Sequence, residues 1–324
     1  MKQKIIFIVD GNNAIGLGQV YRSLNLAKEI KKFNKNILFI TNDFLAKKLV
    51  KPLFHCKLFS EINLKTDMII SKDDLVIIDK HEETRKKLNH FKSNSYLTIG
   101  IDYIGKGKKL LSKGINILYP QSGITGKKGY SGFQYSILDP SFKKSCSIKI
   151  RKQVKSLVIM QGGTDSHCFI PNIIDSISQL KSKLKITVII GPIGYNKKLQ
   201  KSIDGSNLSI EVKRNVKFMH KELARHDIAI TGGGMTLLEL SKLGIPSIII
   251  CTEKFETETA SLLSKSGFGI NLGYYEKLSN QKIKNAISRL IQDYKLRTEM
   301  NSIGPKIIDG NGTKRVCKLI KEWN

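Results

Sequence analysis

The sequence predicts an α/β fold of two consecutive doubly wound domains facing one another across a cleft, and three observations carry that prediction. Short runs rich in Ile and Val alternate with longer stretches of helical period, the pattern of parallel strands covered on both faces by crossover helices. The runs fall into two series separated by a polar, basic segment, Ser141 to Lys155. The chain also has 324 residues, more than the roughly 250–300 at which a single hydrophobic core stops growing.

Taken in order, the first series comprises Ile5–Val9, Ile37–Ile40, Leu75–Asp79, Leu97–Ile101 and Ile115–Leu118. The second comprises Leu157–Met160, Ile186–Ile190, Leu208–Val212, Asp227–Ile230 and Ser247–Cys251. Each run is too short for a helix and is bounded by turn residues, so each is a strand. The domains are expected at residues 1–145 and 146–311, with a hinge in the 141–155 linker. Residues 312–324 have helical period over Gly312 to Trp323 and form a terminal helix that caps the fold. Ligands of such sheets bind at the carboxyl ends of the strands.

Composition narrows the partners. Lys and Arg number 55 against 27 Asp and Glu, a formal net charge of +28. Only eight of the 55 are Arg, the residue suited to bidentate phosphate and base contacts. The lysines are spread in short pairs such as Lys31-Lys32, Lys86-Lys87 and Lys143-Lys144, which fits solvated faces better than a dedicated nucleic-acid groove. The five cysteines are widely spaced with no C-x-x-C pair, so neither a disulfide framework nor a zinc site is expected. A reducing cytoplasm fits. The apolar run Ile5–Val9 ends at Asp10 and is too short for a signal-peptide core; membrane contact is expected to be peripheral at most. No acidic pair has the spacing of metal ligands, so no metal and no cofactor is expected.

Three glycine-rich turns lead from a strand into a helix, where backbone amides and the positive end of a helix dipole can meet an anion. The first runs from Asp10 through Gly16, Gly18 and Gln19 to Arg22. It lacks the third glycine of a dinucleotide fingerprint and is not a Walker loop; Gly16 and Gly18 can equally serve close helix–sheet packing. The second is Gly162-Gly163-Thr164-Asp165-Ser166, whose last three residues are good helix caps. The third, Gly232-Gly233-Gly234-Met235-Thr236, is costly in chain entropy, and such freedom points to close approach by a ligand. A diphosphate is the natural candidate, with the Thr236 hydroxyl nearby. Glu239, one turn into the helix, can accept from two ribose hydroxyls or simply stabilise the helix N-terminus.

Gly-x-Gly-x-x-x-Arg-x-Leu-x-Leu-Ala (16–27), Gly-Gly-Thr-Asp (162–165), Gly-Gly-Gly-Met-Thr-x-x-Glu-x-x-x-x-Gly-x-Pro-Ser (232–247) and the segment Gly132 to Phe142 resemble the family of the UDP-sugar hydrolase of pseudaminic acid synthesis and its spore-coat polysaccharide relatives. The third motif is also similar to the peptidoglycan GlcNAc transferase. The resemblance implies a glycosyltransferase-B architecture of two Rossmann-like domains binding a UDP-sugar. By it, Gly232 to Thr236 hold the diphosphate, Glu239 the ribose, and the backbone at Phe218 and Met219 the uracil; Gly16, Gly18, Gly162, Gly163 and Arg22 line the substrate site, and Glu256 takes the place of the family's glutamine. The family's first motif ends Gly-x-Gly-His, its histidine being the implied general base. Here that position is Gln19, and an amide positions a hydroxyl without taking its proton.

Asp10, Asp79 and Asp102 follow strand-like runs and are the other acid–base candidates; strand-end Asp is also a common helix cap. Arg22 either contacts phosphate or sugar or pairs with an acid. His167 near the second glycine turn either approaches phosphate or is an ordinary surface residue, while His220 and His226 read as structural. Three functions follow: a glycosyltransferase of surface glycan synthesis with a glycan or lipid-linked acceptor, releasing UDP by substitution at the anomeric carbon; a UDP-sugar hydrolase of nonulosonic acid synthesis with its base relocated; and a non-catalytic nucleotide-sugar or nucleic-acid binder.

Overall fold

The computed structural model describes residues 3–12, 15–63, 69–163, 165–180, 183–191 and 194–323. It divides into two units, one of residues 1–140 and 310–324 and the other of residues 141–309.

The first unit runs β1 (Ile5–Val9), α1 (Gly18–Ile30), β2 (Ile37–Thr41), α2 (Phe44–Val50), β3 (His55–Leu58), β4 (Leu75–Asp79), α3 (Arg85–Asn94), β5 (Leu97–Ile101), β6 (Lys113–Asn116) and β7 (Gly129–Ser131), and the boundary falls in α4 (Pro140–Lys144). The second runs β8 (Ser156–Met160), α5 (Ile170–Ser178), β9 (Lys185–Ile190), α6 (Lys197–Asp204), β10 (Ser209–Arg214), α7 (Met219–Leu223), β11 (Ile228–Thr231), α8 (Met235–Lys242), β12 (Ser247–Cys251), α9 (Glu256–Lys265), β13 (Ile270–Tyr274), α10 (Asn280–Gln292) and α11 (Tyr294–Ile307). A last helix, α12 (Gly312–Glu322), returns to the first unit.

The first sheet has the order β3-β2-β1-β4-β5-β6-β7 and the second β10-β9-β8-β11-β12-β13, and the pairings are parallel. Each order reverses once, between β1 and β4 and between β8 and β11. All five residues of β1, β2, β4 and β12 are buried, because helices cover both faces of a doubly wound sheet. On one face of the first sheet Ile6, Ile8, Leu38, Ile40, Val76 and Ile78 pack with Leu88, Phe91 and Tyr103. Phe7 and Phe39, on neighbouring strands, stack with ring centroids 4.7 Å apart.

Three strands fall outside the predicted series: β3 (HCKL), β7 (GYS) and β13 (INLGY). All lie at sheet edges, where half-exposed positions admit polar residues and glycine and no apolar run is needed. The 141–155 segment is not a free linker. Ile148 N–H donates to Leu243 O at 2.9 Å, and Asn301 donates to Ile148 O at 3.0 Å. Arg297, 1% exposed, donates to the carbonyls of Arg151 and Lys152. These bonds fasten the segment to the second unit. Among the described residues no helix is long and apolar enough to cross a membrane.

Candidate functional site

At the reversal point of the first sheet, β1 and β4 end in Val9-Asp10 and Asp79-Lys80. The three acids singled out by sequence, Asp10, Asp79 and Asp102, are all engaged in ion pairs. Arg22, on the buried face of α1, places its guanidinium against Asp79 at 2.5 and 3.1 Å and against Asp102. The three side chains are essentially without exposure. Ser23 donates to Asp79 at 2.8 Å, and Asp102 accepts from the amides of Ile117 and Leu118 at 2.6 and 2.9 Å. Burial on its own would lower the Arg22 pKa, but Asp79 and Asp102 more than offset it and hold the guanidinium charged. Of the two readings of Arg22, the structure shows the pairing with an acid, and it makes Asp79 one of the partners.

Asp10 does not cap a helix either. Its carboxylate lies 2.6 Å from Lys80 Nζ, which also reaches Glu83 at 2.7 Å, and it accepts from the Asn42 amide and side chain. The turn after β1 is instead organised by Asp43, which accepts from Gly11 N–H at 3.0 Å and Asn12 Nδ2 at 2.9 Å. The glycine that permits close helix–sheet packing is Gly11, where a Cβ would collide with Val20. Gly16 serves differently: its φ is +79°, a conformation that favours glycine. Gly18 opens α1 with no side-chain cap from Leu17, and Gln19 is half-buried in that first turn.

In the second unit the glycine turns flank the reversal between β8 and β11. Gly162 has φ +63°, and Gly191 at the end of β9 packs so closely on Gly163 O that a Cβ there would overlap it. Thr164 lies outside the described residues. Asp165, itself in a left-handed conformation at φ +43°, accepts from the amides of Phe169 and Ile170 at 2.9 and 3.2 Å. The helix α5 accordingly starts at Ile170, later than a cap at 164–166 implies.

Between Thr231 and α8 the three glycines pack over Glu256. A Cβ on Gly232 would lie 2.8 Å from the Glu256 carboxylate and one on Gly233 would overlap its carbonyl, whereas one on Gly234 would sit at an ordinary 3.4 Å. Glu256 accepts from the amides of Thr252 and Glu253 at 3.0 and 3.3 Å. Burial pushes its carboxyl pKa up, against these amides and that of Gly233. Two of the three glycines thus answer to the protein's own packing, and only Gly234, which precedes Met235 at the start of α8, keeps an open outer side. Thr236 turns its hydroxyl toward Met160 Sδ at 3.7 Å. Glu239 lies one turn into α8, half-buried. Phe218 is 53% exposed, with Lys217 and Lys221 ammonium groups 5.5 and 5.3 Å from its ring centroid, and Met219 begins α7.

Two buried polar side chains here carry no motif in the sequence. Gln161, between β8 and its glycine turn, is 3% exposed, and neither carboxamide atom has a hydrogen-bond partner among the described residues. Thr231 at the end of β11 is fully buried with its hydroxyl likewise unpartnered. A polar residue closing a strand of otherwise apolar side chains is the signal that could have found Gln161. His167, for which the sequence left two readings open, is held by its neighbours: Nε2 lies 2.9 Å from Glu253, Nδ1 lies 3.1 Å from the Tyr275 hydroxyl, and its ring packs 4.9 Å from that of Tyr275.

The helix α8 begins after Gly234 with no side-chain cap hydrogen bond, so the positive end of that helix's dipole lies at this strand edge. Residues 156–310, the second unit almost entire, match the glycosyltransferase family 28 C-terminal domain. Over the whole chain the structure superposes on MurG of Acinetobacter baumannii with a TM-score of 0.70 at 13% identity, covering 98% of this chain and 99% of that one. The fold is of the glycosyltransferase-B type. HepE of Anabaena in complex with UDP-glucose matches with a TM-score of 0.62 at 14% identity, over 98% of this chain and 99% of that one. The spore coat polysaccharide biosynthesis protein SpsG of Bacillus subtilis is 24% identical, aligned over 97% of this chain and 96% of its own length. An uncharacterized protein of Methanocaldococcus jannaschii is 29% identical over 286 residues, 79% of this chain; the match spans 57% of that longer protein.

Proposed function

We propose that this chain is a nucleotide-sugar-dependent glycosyltransferase of surface polysaccharide synthesis, taking a UDP-sugar and substituting at its anomeric carbon with release of UDP. The observation that carries the reading is the Gly232–Gly234 turn, which meets the N-terminus of α8 at the reversal point of a glycosyltransferase-type domain. The diphosphate lies against the open side of Gly234 and the first amides of α8, whose fixed dipoles stabilise the charge that develops on the leaving UDP. Glu239 accepts from the ribose hydroxyls, and the backbone at Phe218 and Met219 holds the uracil. In the first unit Gln19 orients an acceptor hydroxyl by hydrogen bonding. Because an amide cannot take a proton near neutral pH, the route implied for the hydrolase family lacks its base at Gln19; transfer is favoured because an acceptor can bring the group that takes its hydroxyl proton as the anomeric carbon is attacked and UDP leaves.

Incubation of the purified protein with a panel of UDP-sugars tests this directly. UDP release that requires a glycan or lipid-linked acceptor is the expected outcome. Release at the same rate in water alone would replace transfer by hydrolysis, and binding without turnover under either condition would remove both.

A further inference from the structure

We infer that Gln161 is a ligand-binding residue, donating from Nε2 to a phosphate oxygen of the bound nucleotide-sugar while Oε1 accepts from a neighbouring sugar hydroxyl. The inference rests on the nucleotide-sugar reading above and adds to it a residue that none of the glycine motifs contains.

The hydrogen-bonding capacity of Gln161 is out of balance with its surroundings. A carboxamide has two donors and an acceptor, and buried polar groups in folded proteins are almost always paired. Gln161 is 3% exposed, yet both Nε2 and Oε1 lack a partner among the described residues. It sits at the carboxyl end of β8, and β8 and β11, the two strands between which the sheet order reverses, are in register with Met160 opposite Thr231. Thr231 brings a second buried, unpartnered hydroxyl to the end of the other strand. The reversal point is where ligands of parallel sheets enter. Asp165, Asp227 and Glu256 in the same unit each accept two or more hydrogen bonds, and the buried ring nitrogens of His226, also without a hydrogen bond among the described residues, precede β11 at its opposite end, with Nε2 3.5 Å from Glu222. At the carboxyl ends of the two central strands the unpaired groups are those of Gln161 and Thr231. A phosphate oxygen alone would satisfy only Nε2. A carboxamide asks for an acceptor and a donor side by side, which a diphosphate joined to a hydroxylated ring presents.

Such a residue works against the unliganded fold and for the complex, so its replacement separates the two roles. Gln161→Met keeps the length and removes both polar atoms. Relative to wild type, the variant is expected to unfold at an equal or higher urea midpoint and to bind UDP at least tenfold more weakly by calorimetry, with uridine affinity unchanged. Gln161→Glu, which keeps shape and polarity but sets a carboxylate against the diphosphate, is expected to weaken UDP further and again to spare uridine. UDP affinity that is unchanged in both variants overturns the inference while leaving the nucleotide-sugar reading standing. A lowered midpoint in Gln161→Met with unchanged UDP affinity assigns the carboxamide to the fold and overturns it as well. Failure of the wild-type protein to bind UDP removes the reading and the inference together.

Discussion

The strand ends of the two units handle polarity in opposite ways. In the first unit, charge is abundant and internally matched: Arg22 lies between Asp79 and Asp102, and Lys80 between Asp10 and Glu83. In the second, the corresponding edge carries a buried hydroxyl and a buried carboxamide without partners among the described residues. Paired charges fix an architecture, because removing one partner strands the other in a low-dielectric interior. Unpaired neutral dipoles leave room for a ligand to complete them. Closeness to the end of a central strand therefore does not make an acid catalytic; what matters is whether its hydrogen-bonding capacity is already used.

The strongest challenge to that contrast is Arg22→Met, which leaves two buried carboxylates facing one another. It should destabilise the protein by about 3–5 kcal/mol in urea unfolding. A loss below 1 kcal/mol would mean that the triad is solvated and would return Arg22 to the candidates for ligand contact. A finer test lies within the glycine turn. Gly233→Ala forces a Cβ into the Glu256 backbone and should cost about 1–3 kcal/mol, whereas Gly234→Ala, with its Cβ 3.4 Å from the nearest atom, should leave the unfolding midpoint nearly unchanged and lower UDP affinity. If Gly234→Ala binds UDP as the wild type does, the diphosphate is not at that glycine.

The smallest effect concerns Glu256. Its pKa is raised in the folded state by burial, so between the ordinary carboxylate pKa and the raised one the folded protein holds more protons than the unfolded chain. Stability contributed at this site is present at low pH and falls as pH rises through that window. Glu256→Gln should remove this component, flattening the pH dependence of the urea midpoint on the acid side of neutrality. An unaltered slope would show that the carboxyl is ionised throughout.

Much of this was legible in the residues. Apolar runs such as Leu75–Asp79 and Ser247–Cys251 mark central strands because both faces are covered, so no alternation is needed. The Gly232–Gly234 turn announces itself by composition. Edge strands such as β13 were hidden, since half-exposed positions tolerate Asn and Gly. The fate of Arg22 was hidden for another reason: its partners lie 57 and 80 residues away, and only the parallel pairing of β1 with β4 and β4 with β5 brings Asp79 and Asp102 beneath α1. His167 and Glu253, 86 residues apart, meet for the same reason. Gln161 was overlooked because an isolated amide carries no motif; its significance comes from what surrounds it.

The return of α12 to the first unit bears on how the protein forms on the ribosome. Thr313 donates to Leu138 O at 3.1 Å, Arg315 to Gln134 O at 3.0 Å, and the Trp323 ring lies 5.2 Å from that of Tyr130. Val316, Cys317 and Ile320 are buried, and burial pushes the Cys317 thiol up to about 12. The first unit to begin synthesis is thus the last to be completed: residues 1–140 emerge early but wait for residues 310–324. The second unit is contiguous and can close while its neighbour still exposes the seat of α12. Translation, which usually favours N-terminal domains, here gives the head start to the unit that carries the Gly232–Gly234 turn.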